Sequence, residues 1–260
     1  MNTCRICGLP VKTAFQANIL HKYDISYFKC YNCGFIQTEE PFWLNEAYTA
    51  SINITDTGLV QRNIYCAKLT SSIIKVFFRA NATYVDIAGG YGLFVRLMRD
   101  KGYHFLWDDL YTDNIFARGF DFRTDQHNNV ELITAFEAFE HFHNPLKELE
   151  SMLLVSRNIF FSTLLMPSNI PDKNWWYYAF EHGQHISFYS KQTLNHLAEK
   201  FNLYLYTNNK DFHLLTEKKL SNALCNLLFN YFRVIQYSCF NSKHVLSDSK
   251  FLNKLYFDKN

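Results

Sequence analysis

Short apolar runs alternate with amphipathic stretches along most of the chain after residue 80. The runs are rich in β-branched and aromatic residues, which predicts buried strands. The stretches between them repeat apolar residues with the period of a helix. The predicted strands are 84–87, 102–109, 130–135, 158–163, 203–206 and 212–215, and the predicted helices are 59–79, 93–101, 146–154 and 191–201. Strands that alternate with helices predict an α/β fold with a doubly wound, Rossmann-like sheet.

Two short cysteine motifs lie before residue 40, namely CRICG at 4–8 and CYNCG at 30–34. Each motif points two thiolates toward one centre, and its glycine lets the backbone N–H groups fold back toward the sulfurs. Together they supply the four ligands of a tetrahedral structural zinc, and these are Cys4, Cys7, Cys30 and Cys33. A pair of disulfides or uncoordinated thiols is the alternative. Because four sulfurs leave no open position for a substrate, this zinc is expected to stabilise the fold.

Pro41 interrupts the chain after the second cysteine motif and marks the first predicted boundary. The predicted regions are a zinc ribbon at 1–40, a helical cap or linker at 41–80, an α/β domain at 81–217 and a helical tail at 218–260. Within the linker, residues 56–58 either cap the helix that follows or belong to a flap over a cofactor. That flap would carry Tyr48 and Arg62. The tail has helical stretches to which we assign no chemistry.

A carboxylate and three glycines follow the first strand of the α/β region, in the stretch VDIAGGYGLF at 85–94. The chain has only nine glycines, so this concentration indicates a turn whose backbone is closely approached. A dinucleotide-binding turn requires G-x-G-x-x-G, and the spacing does not fit it. The spacing resembles E/D-x-G-x-G-x-G, the first motif of class I S-adenosylmethionine-dependent methyltransferases. This resemblance implies a seven-stranded sheet whose last strand is antiparallel.

The resemblance also implies cofactor-binding roles for the residues of this turn. Asp86 would contact the amino-acid part of S-adenosylmethionine, and the turn would leave room for that cofactor. The turn consists of Ala88, Gly89, Gly90, Tyr91 and Gly92. Ala88 departs from the pattern, since the family has its first glycine there. A methyl group is tolerated at this position where the backbone angle φ is negative.

An acid at the end of the next strand is expected to bind the ribose of the cofactor. Asp109 follows Phe105 and Trp107 in the alternating register and comes about 20 residues after the glycine turn. Acids at this place accept hydrogen bonds from ribose hydroxyls in related folds. We therefore expect Asp109 to hold the ribose, with Asp108 as the alternative.

The stretch LITAFEAFEHFHNP, at 132–145, resembles the fourth strand of the same family and the loop after it. The resemblance places this loop at the carboxyl edge of the sheet, where ligands of open sheets bind. It implies that Phe136 and Glu137 line the cofactor site. Glu140 and His141 either line the site as well or pair with each other to fix the loop.

A long loop at 164–190, LLMPSNIPDKNWWYYAFEHGQHISFYS, follows the strand at 158–163, and loops of this length usually carry function. Histidines with a pKa near neutrality are suited to remove a proton from an acceptor hydroxyl. The expected catalytic residues are Glu181, His182 and His185. The expected substrate-binding residues are Tyr48, Arg62, Trp176, Tyr178 and Gln184, although the aromatic ones suit ordinary packing equally well. Ser190 is expected to cap the next helix.

The ribbon, the glycine turn and the sequence EHGQHISFYS together resemble bacterial zinc-binding methyltransferases that act on sugars. These include nucleotide-sugar C-methyltransferases and polysaccharide-linked enzymes, and the resemblance covers about residues 4–216. It implies S-adenosylmethionine as cofactor, a structural zinc, and a sugar or glycan precursor as acceptor. In the sugar C-methyltransferases the loop is closer to YHEHxSYFS. His185 then aligns with the second histidine, and Gln184 replaces a glutamate.

Charge and hydropathy limit the partners. The 26 basic and 24 acidic side chains give a net charge of +2, so no basic field favours nucleic acid. No apolar run is long enough to span a membrane, and residues 1–12 lack the apolar core of a secretory signal. We therefore expect a cytoplasmic protein with a small-molecule partner, in an oligomeric state that the sequence does not predict.

Two other functions remain open from the sequence. Some RNA base methyltransferases carry a zinc ribbon before the same fold. In this chain, however, AFEAFEH stands where enzymes that methylate exocyclic amines have Asn/Asp-Pro-Pro-aromatic. The other alternative is a non-catalytic binding protein that keeps the fold, and the departure at Ala88 favours it.

Overall fold

The computed structural model describes residues 3–49, 55–124, 129–239 and 243–256. The strands are β1 (Lys12–Ile19), β2 (Tyr23–Lys29), β3 (Ile36–Thr38), β4 (Thr83–Ile87), β5 (His104–Asp108), β6 (Val130–Ala135), β7 (Asn158–Ser162), β8 (Ser187–Phe188), β9 (Tyr204–Thr207) and β10 (Phe212–Thr216). The α-helices are α1 (Leu44–Ala47), α2 (Leu59–Phe77), α3 (Leu93–Asp100), α4 (Pro145–Val155), α5 (Lys191–Lys200), α6 (Asn222–Cys239) and α7 (Lys243–Tyr256). The chain divides into two compact units. The first unit consists of Met1–Thr49 and Leu132–Lys219, and the second unit consists of Ala50–Glu131 and Leu220–Asn260.

A four-stranded antiparallel sheet in the order β1-β2-β3-β8 belongs to the first unit. Strand β8 comes from the long loop, and Phe188 pairs there with Ile36 of β3. One apolar core holds side chains from the ribbon, from the segment after Pro41 and from the loop, among them Tyr27, Trp43 and Tyr177. The loop therefore supplies both a strand and core residues to the ribbon, which its sequence pattern did not predict.

The larger sheet has the strand order β5-β4-β6-β7-β10-β9. In the first unit, β6 and β7 run parallel, and β10 is antiparallel to both β7 and β9. In the second unit, β4 and β5 run parallel. Every residue of β6 and β7 is buried, as expected for parallel strands that are covered on both faces. The predicted α/β class with a parallel-rich sheet and an antiparallel last strand is confirmed.

In the part of the chain that the structure describes, this sheet has six strands rather than the predicted seven. Beyond β5, a single parallel bridge joins Trp107 to Asp121. The Trp107 N–H donates to the Phe120 carbonyl at 2.8 Å, and the Phe122 N–H donates to the Trp107 carbonyl at 2.7 Å. Residues 109–120 reach this edge as a loop without a helix. The edge of the sheet therefore ends in one bridge instead of a full strand.

Local signals explain where several helices begin. The Ser190 Oγ accepts the Thr193 N–H at 3.1 Å, and the Ser190 N–H donates to the Thr193 Oγ1 at 3.2 Å. This capping box confirms the predicted cap of α5. Helix α4 begins at Pro145, a residue suited to the first helical position. Helix α2 begins after Gly58 without a side-chain cap. None of the described helices combines the length and the hydropathy that a membrane span requires.

Candidate functional site

The glycine turn connects β4 to α3 in the second unit, as its sequence predicts. Asp86 lies near the end of β4 and is only 3% exposed. The Gly89 N–H donates to the Asp108 carbonyl at 3.1 Å. A Cβ atom at Gly89 would lie 2.8 Å from Trp107 Cδ1 and 3.0 Å from Asp86 Oδ2. Glycine is therefore required at this position by the close approach of the turn to β5 and to Asp86.

The backbone of the turn lies in the left-handed region at three positions. The φ angles are +55° at Ala88, +52° at Gly90 and +81° at Gly92. Glycine adopts such angles freely, whereas a residue with a Cβ atom is strained there by about 1–2 kcal/mol. An alanine is tolerated in this turn only where φ is negative, and φ is positive at Ala88. The departure from the family pattern thus costs backbone strain inside the turn.

Asp109 holds the turn through its carboxylate. The Oδ2 atom accepts the Gly90 N–H at 2.9 Å, and the Oδ1 atom accepts the N–H groups of Tyr111 and Thr112 at 2.8 and 3.0 Å. A carboxylate offers about four acceptor positions, so these bonds leave about one for a ligand hydroxyl. Burial, and then the charge of Asp109, raise the pKa of Asp108. Asp109 is therefore the better placed of the two acids to accept a hydrogen bond, and its predicted ribose contact stays a prediction.

Tyr91 and its neighbours shape the outer side of this turn. The Tyr91 carbonyl accepts the N–H groups of Ile115 and Phe116 at 3.0 and 2.9 Å. Leu110 follows the Asp108–Asp109 pair and is 85% exposed. An apolar side chain thus lies uncovered directly after the acid that holds the turn.

In the first unit, Phe136 and Glu137 follow the last residue of β6. The Phe136 ring packs edge-to-face on Phe160, with ring centroids 5.4 Å apart. The Glu137 N–H donates to the Ser162 Oγ at 2.8 Å, and that hydroxyl donates to the Glu137 Oε1 at 2.5 Å. Glu137 also adopts a positive φ of 51°. These contacts fix Glu137 in a strained conformation directly after the strand, and its predicted cofactor contact stays a prediction.

Two histidines, His141 and His185, meet at the end of the long loop, with ring centroids 4.9 Å apart. The Nδ1 atom of His185 lies 2.7 Å from the Tyr177 carbonyl oxygen. The Nδ1 atom of His141 lies 3.1 Å from the Gln184 carbonyl oxygen. Because a carbonyl oxygen can only accept, each Nδ1 carries its proton, and each Nε2 keeps a lone pair.

Burial lowers the pKa of both histidines, to about 3 for His141, so both rings are neutral near pH 7. Glu140 belongs to the same cluster and is 0% exposed. One ligand atom from each of these residues lies within 4.8 Å of the others. The structure therefore brings together Glu140, His141 and His185, of which only His185 belongs to the predicted catalytic residues. The adjacent residues Glu140 and His141 after a predicted strand were the sequence feature that could have indicated this cluster.

The other two predicted catalytic residues occupy different surroundings. The Glu181 side chain is exposed, and His182 is partly buried. Burial lowers the pKa of His182, while the charge of Glu181 opposes that shift. The His182 backbone N–H donates to the Ala179 carbonyl at 3.0 Å. The catalytic roles of Glu181 and His182 stay predictions.

The predicted substrate residues are distributed over both units. In the first unit, the Tyr48 hydroxyl lies 3.0 Å from the His141 Nδ1. The buried Gln184 side chain donates from Nε2 to the Ala47 carbonyl at 2.7 Å. In the second unit, the Arg62 guanidinium binds both carboxylate oxygens of Asp56 at 3.0 and 2.6 Å. Residues 50–54 of the proposed flap lie outside the described residues.

Two aromatic residues of the loop, Trp176 and Tyr178, have opposite exposures. The Trp176 side chain is 74% exposed, whereas Tyr178 is 1% exposed. The Tyr178 ring stacks on Phe180 with centroids 5.1 Å apart, and its hydroxyl donates to the Pro171 carbonyl at 3.2 Å. Tyr178 is thus a core residue, and its position gives no support to the predicted substrate contact. Trp176 is accessible to a ligand.

The four cysteines of the ribbon form a second cluster in the first unit. Sulfur atoms lie 3.5 Å apart in the Cys4–Cys33 pair and 3.4 Å apart in the Cys7–Cys30 pair. Disulfide sulfurs are only about 2.05 Å apart, so these are thiols. Four sulfurs at about 2.3 Å from a zinc ion would lie about 3.8 Å from one another, close to the observed separations. Hydrogen bonding from Cys33 lowers the pKa of Cys4, which favours the thiolate that a metal requires.

Comparison with known proteins identifies one family and several similar structures. A family profile described as a methyltransferase domain matches residues 61–208, more than half of the chain. No curated protein matches the chain. One similar solved structure is the plantazolicin methyltransferase BpumL in complex with a monoazolic desmethylPZN analogue and SAH. It is 14% identical, with a TM-score of 0.47, over 76% of this chain and 87% of that chain.

Two further solved structures are similar to this chain. CalO1, a methyltransferase in calicheamicin biosynthesis in its SAH-bound form, is 10% identical, with a TM-score of 0.43, over 62% of this chain and 54% of that chain. OxaC in complex with sinefungin and meleagrin is 16% identical, with a TM-score of 0.41, over 54% of this chain and 44% of that chain. The matched region thus spans about half the length of these two proteins. The family assignment rests on the profile alone.

Proposed function

This chain belongs to the family of methyltransferase domains, and on that premise we propose that it transfers a methyl group from S-adenosylmethionine to a small-molecule acceptor. The observation that carries the proposal is the strand, turn and helix at 83–100, which lie inside the matched region. A buried acid lies near the end of the strand, and the turn after it is left-handed at three positions. The first N–H groups of an α-helix have no acceptor within the helix, so the start of α3 suits the binding of a polar ligand group.

The residues of the second unit fit the polar ends of such a cofactor. S-adenosylmethionine supplies an electrophilic methyl group when it is bound. We propose that Asp86 faces its amino-acid part and that Asp109 uses its remaining acceptor position for a ribose hydroxyl. The Leu110 side chain is apolar and exposed, and an adenine ring packed on it would remove it from water.

For proton removal from the acceptor, the contacts of the loop favour His185 over His182. The Tyr177 carbonyl fixes the tautomer of His185 and leaves its Nε2 as the proton-accepting atom. Its pKa is lowered by burial, so the imidazole is neutral and ready to accept. We propose that His185 takes the proton of an acceptor hydroxyl while the methyl group is transferred.

The acceptor that we propose is a sugar, a nucleotide sugar or a glycan precursor. The proposal rests on the resemblance of EHGQHISFYS to the loop of bacterial sugar methyltransferases. The exposed Trp176 offers an aromatic face of the kind on which sugar rings stack. The near-neutral net charge of +2 favours this acceptor over RNA.

We further propose that the four cysteines hold a structural zinc. Their separations fit a tetrahedral site, and the two C-x-x-C-G turns direct all four sulfurs inward. The described cysteines are free thiols, which suits a reducing compartment such as the cytoplasm. The domain bounds at residues 40, 80 and 217 stay predictions.

Calorimetry with S-adenosylmethionine and S-adenosylhomocysteine tests the cofactor proposal. We expect the unmodified chain to bind both and Asp109→Asn to bind at least tenfold more weakly, because a charged acceptor is lost. Asp113→Asn removes the same charge from an exposed position of the same loop and is the matched control. If neither ligand produces heat with the unmodified chain, it is not an S-adenosylmethionine-dependent enzyme.

The acceptor class is tested by methyl transfer from labelled S-adenosylmethionine to nucleotide sugars, to glycan precursors and to RNA in parallel. We expect the unmodified chain to transfer label to the carbohydrate fractions. His185→Gln should lose this transfer, and Glu181→Gln should retain more of it than His185→Gln does. Label in RNA, together with salt-dependent binding of RNA in a gel shift, would replace the carbohydrate proposal by the RNA alternative. Cofactor binding without label in any fraction would favour a non-catalytic binding protein.

A further inference from the structure

The Glu140, His141 and His185 cluster contains one carboxylate and two imidazoles in the first unit. Their ligand atoms lie within 4.8 Å of one another, the same limit that the four-cysteine cluster meets. A carboxylate and two imidazoles are a ligand set that proteins use for zinc and similar divalent transition metals. The residues come from two separate stretches of the chain, so the cluster exists only in the folded protein.

The hydrogen bonds around the two imidazoles match those of metal ligands. A histidine that binds a metal almost always donates its other ring N–H to a carbonyl or a carboxylate, which fixes the tautomer and aims the lone pair. His185 donates from Nδ1 to the Tyr177 carbonyl at 2.7 Å, and His141 donates from Nδ1 to the Gln184 carbonyl at 3.1 Å. Both rings therefore have Nε2 as the donor atom available to a cation.

The electrostatics of the cluster favour a cation. Glu140 is fully removed from water, and a buried carboxylate is costly unless positive charge lies close by. Glu137 adds a second negative charge, and it acts electrostatically on His185. Negative charge from two carboxylates thus acts on this cluster.

We infer that Glu140, His141 and His185 form a second cation site, which binds a divalent transition metal of the zinc class and is distinct from the four-cysteine site. Three ligands leave one position of a tetrahedral ion open, in contrast to the closed set of four sulfurs. Tetrahedral zinc ligands at about 2.1 Å from the ion lie about 3.4 Å from one another. The ligand atoms of the cluster lie within 4.8 Å of one another, so they move closer together when the ion binds. This site does not depend on methyl transfer.

A bound cation changes what His185 can do. Its Nε2 lone pair holds either the metal or a proton, so metal binding removes the proton acceptor proposed above. A hydroxyl or water at the open position would then be acidified by the cation itself. The occupancy of the site therefore decides which group handles the proton.

The experiment measures metal content and cobalt spectra on the full chain. After equilibration with zinc and dialysis, we expect two ions per chain by mass spectrometry of the metal, one for each cluster. His185→Asn and Glu140→Gln should each retain only one. His143→Asn removes a nearby imidazole outside the cluster and should retain two.

Cobalt substitution separates the two sites and reports folding at the same time. Cobalt bound to thiolates gives intense charge-transfer absorption, whereas a site of nitrogen and oxygen ligands does not. We expect the thiolate band to be unchanged in His185→Asn while the weaker bands of the second ion disappear. One ion in the unmodified chain, or two ions in both cluster variants with the thiolate band intact, would overturn the second site. Calorimetry with S-adenosylmethionine is unaffected by that outcome, so the proposed function stands or fails separately.

Discussion

The first unit holds two clusters of ligand atoms that are built in different ways. The four cysteines come from two local turns, and each turn is closed by a glycine N–H that donates to a cysteine carbonyl at 2.9 Å. The Glu140, His141 and His185 cluster comes from a loop after β6 and a loop before β8. Its imidazoles are aimed by backbone carbonyls from other parts of the long loop.

This difference separates a closed cluster from an open one. Four sulfurs saturate a zinc ion, so the cysteine cluster can contribute only to folding. Three ligands of mixed type leave an accessible position and depend on the packing of the loop for their geometry. We therefore expect the cysteine cluster to control stability and the other cluster to control ligand exchange and proton transfer.

The largest expected effect is the loss of the closed cluster. Cys30→Ser should lower the free energy of unfolding by several kcal/mol, because structural zinc contributes on the order of 10 kcal/mol to small zinc modules. Thermal unfolding followed by circular dichroism measures it. Cys66→Ala removes a buried thiol of the second unit and serves as the control. A protein that melts at the same temperature with and without a zinc chelator would contradict a structural role for the metal.

The buried histidine His213 shows how an imidazole with both ring nitrogens in hydrogen bonds affects stability. Its Nε2–H donates to the Thr163 carbonyl at 3.0 Å, and its Nδ1 accepts the Thr207 hydroxyl at 2.7 Å. Burial lowers its pKa to about 4, against about 6.5 in an unfolded chain. The unfolded state therefore binds the proton first as the pH falls, and stability decreases between pH 6.5 and pH 4.

This decrease should amount to roughly 3 kcal/mol from His213 alone. Urea unfolding at pH 7 and at pH 4.5 measures most of it, and His213→Gln should show a smaller difference between the two values. Both proteins keep the same metal clusters, so the comparison isolates this imidazole. Equal pH dependence in the two proteins would show that His213 is not neutral in the fold.

The two cysteine turns should respond differently to the same substitution. Gly8 and Gly34 have φ angles of +73° and +76°, so alanine strains either turn by about 1 kcal/mol. A Cβ atom at Gly8 meets open space, whereas one at Gly34 would overlap the Ser190 Oγ. We expect chemical denaturation to show a loss of about 1 kcal/mol in Gly8→Ala and about 2 kcal/mol in Gly34→Ala. Equal losses would mean that the contact with Ser190 is relieved at no cost.

The most localised expected effect concerns the orientation of one imidazole in the open cluster. The His141 Nδ1–H is shared between the Gln184 carbonyl and the Tyr48 hydroxyl. Tyr48→Phe should weaken cation binding at the second site about tenfold, since such outer contacts orient metal ligands. Cobalt titration measures the change, and Tyr23→Phe removes a comparable hydroxyl from an exposed bond to Glu46. An unchanged affinity would mean that the Gln184 carbonyl alone aims His141.

The sequence predicts the local parts of this fold well because their signals are local. The strand at 130–135 and the cap at Ser190 are confirmed, since buried runs and capping boxes depend only on near neighbours. The cysteine turns are also confirmed as a cluster, because two C-x-x-C-G motifs can satisfy each other in few ways.

The contacts that the sequence does not predict join distant stretches. The pairing of β8 with β3 and the meeting of His141 with His185 depend on how the long loop packs. The engagement of Asp109 by the turn was also unexpected, because backbone N–H groups leave no mark in a sequence pattern. Among the described residues, the edge beyond β5 has one bridge, between Trp107 and Asp121, rather than the seventh strand that the family resemblance implies.

The pairing of β3 with β8 has a consequence for the growing chain on the ribosome. Residues 36–38 emerge long before residues 187–188, and synthesis at 5–20 residues per second separates them by on the order of ten seconds. During that interval the β3 edge has no partner strand, and open edges invite pairing with other chains. Metal capture by the two cysteine turns is possible as soon as Cys33 has emerged. In a nascent chain that has bound its metal, the β1–β2 hairpin would therefore be held by the metal site before β8 is synthesised.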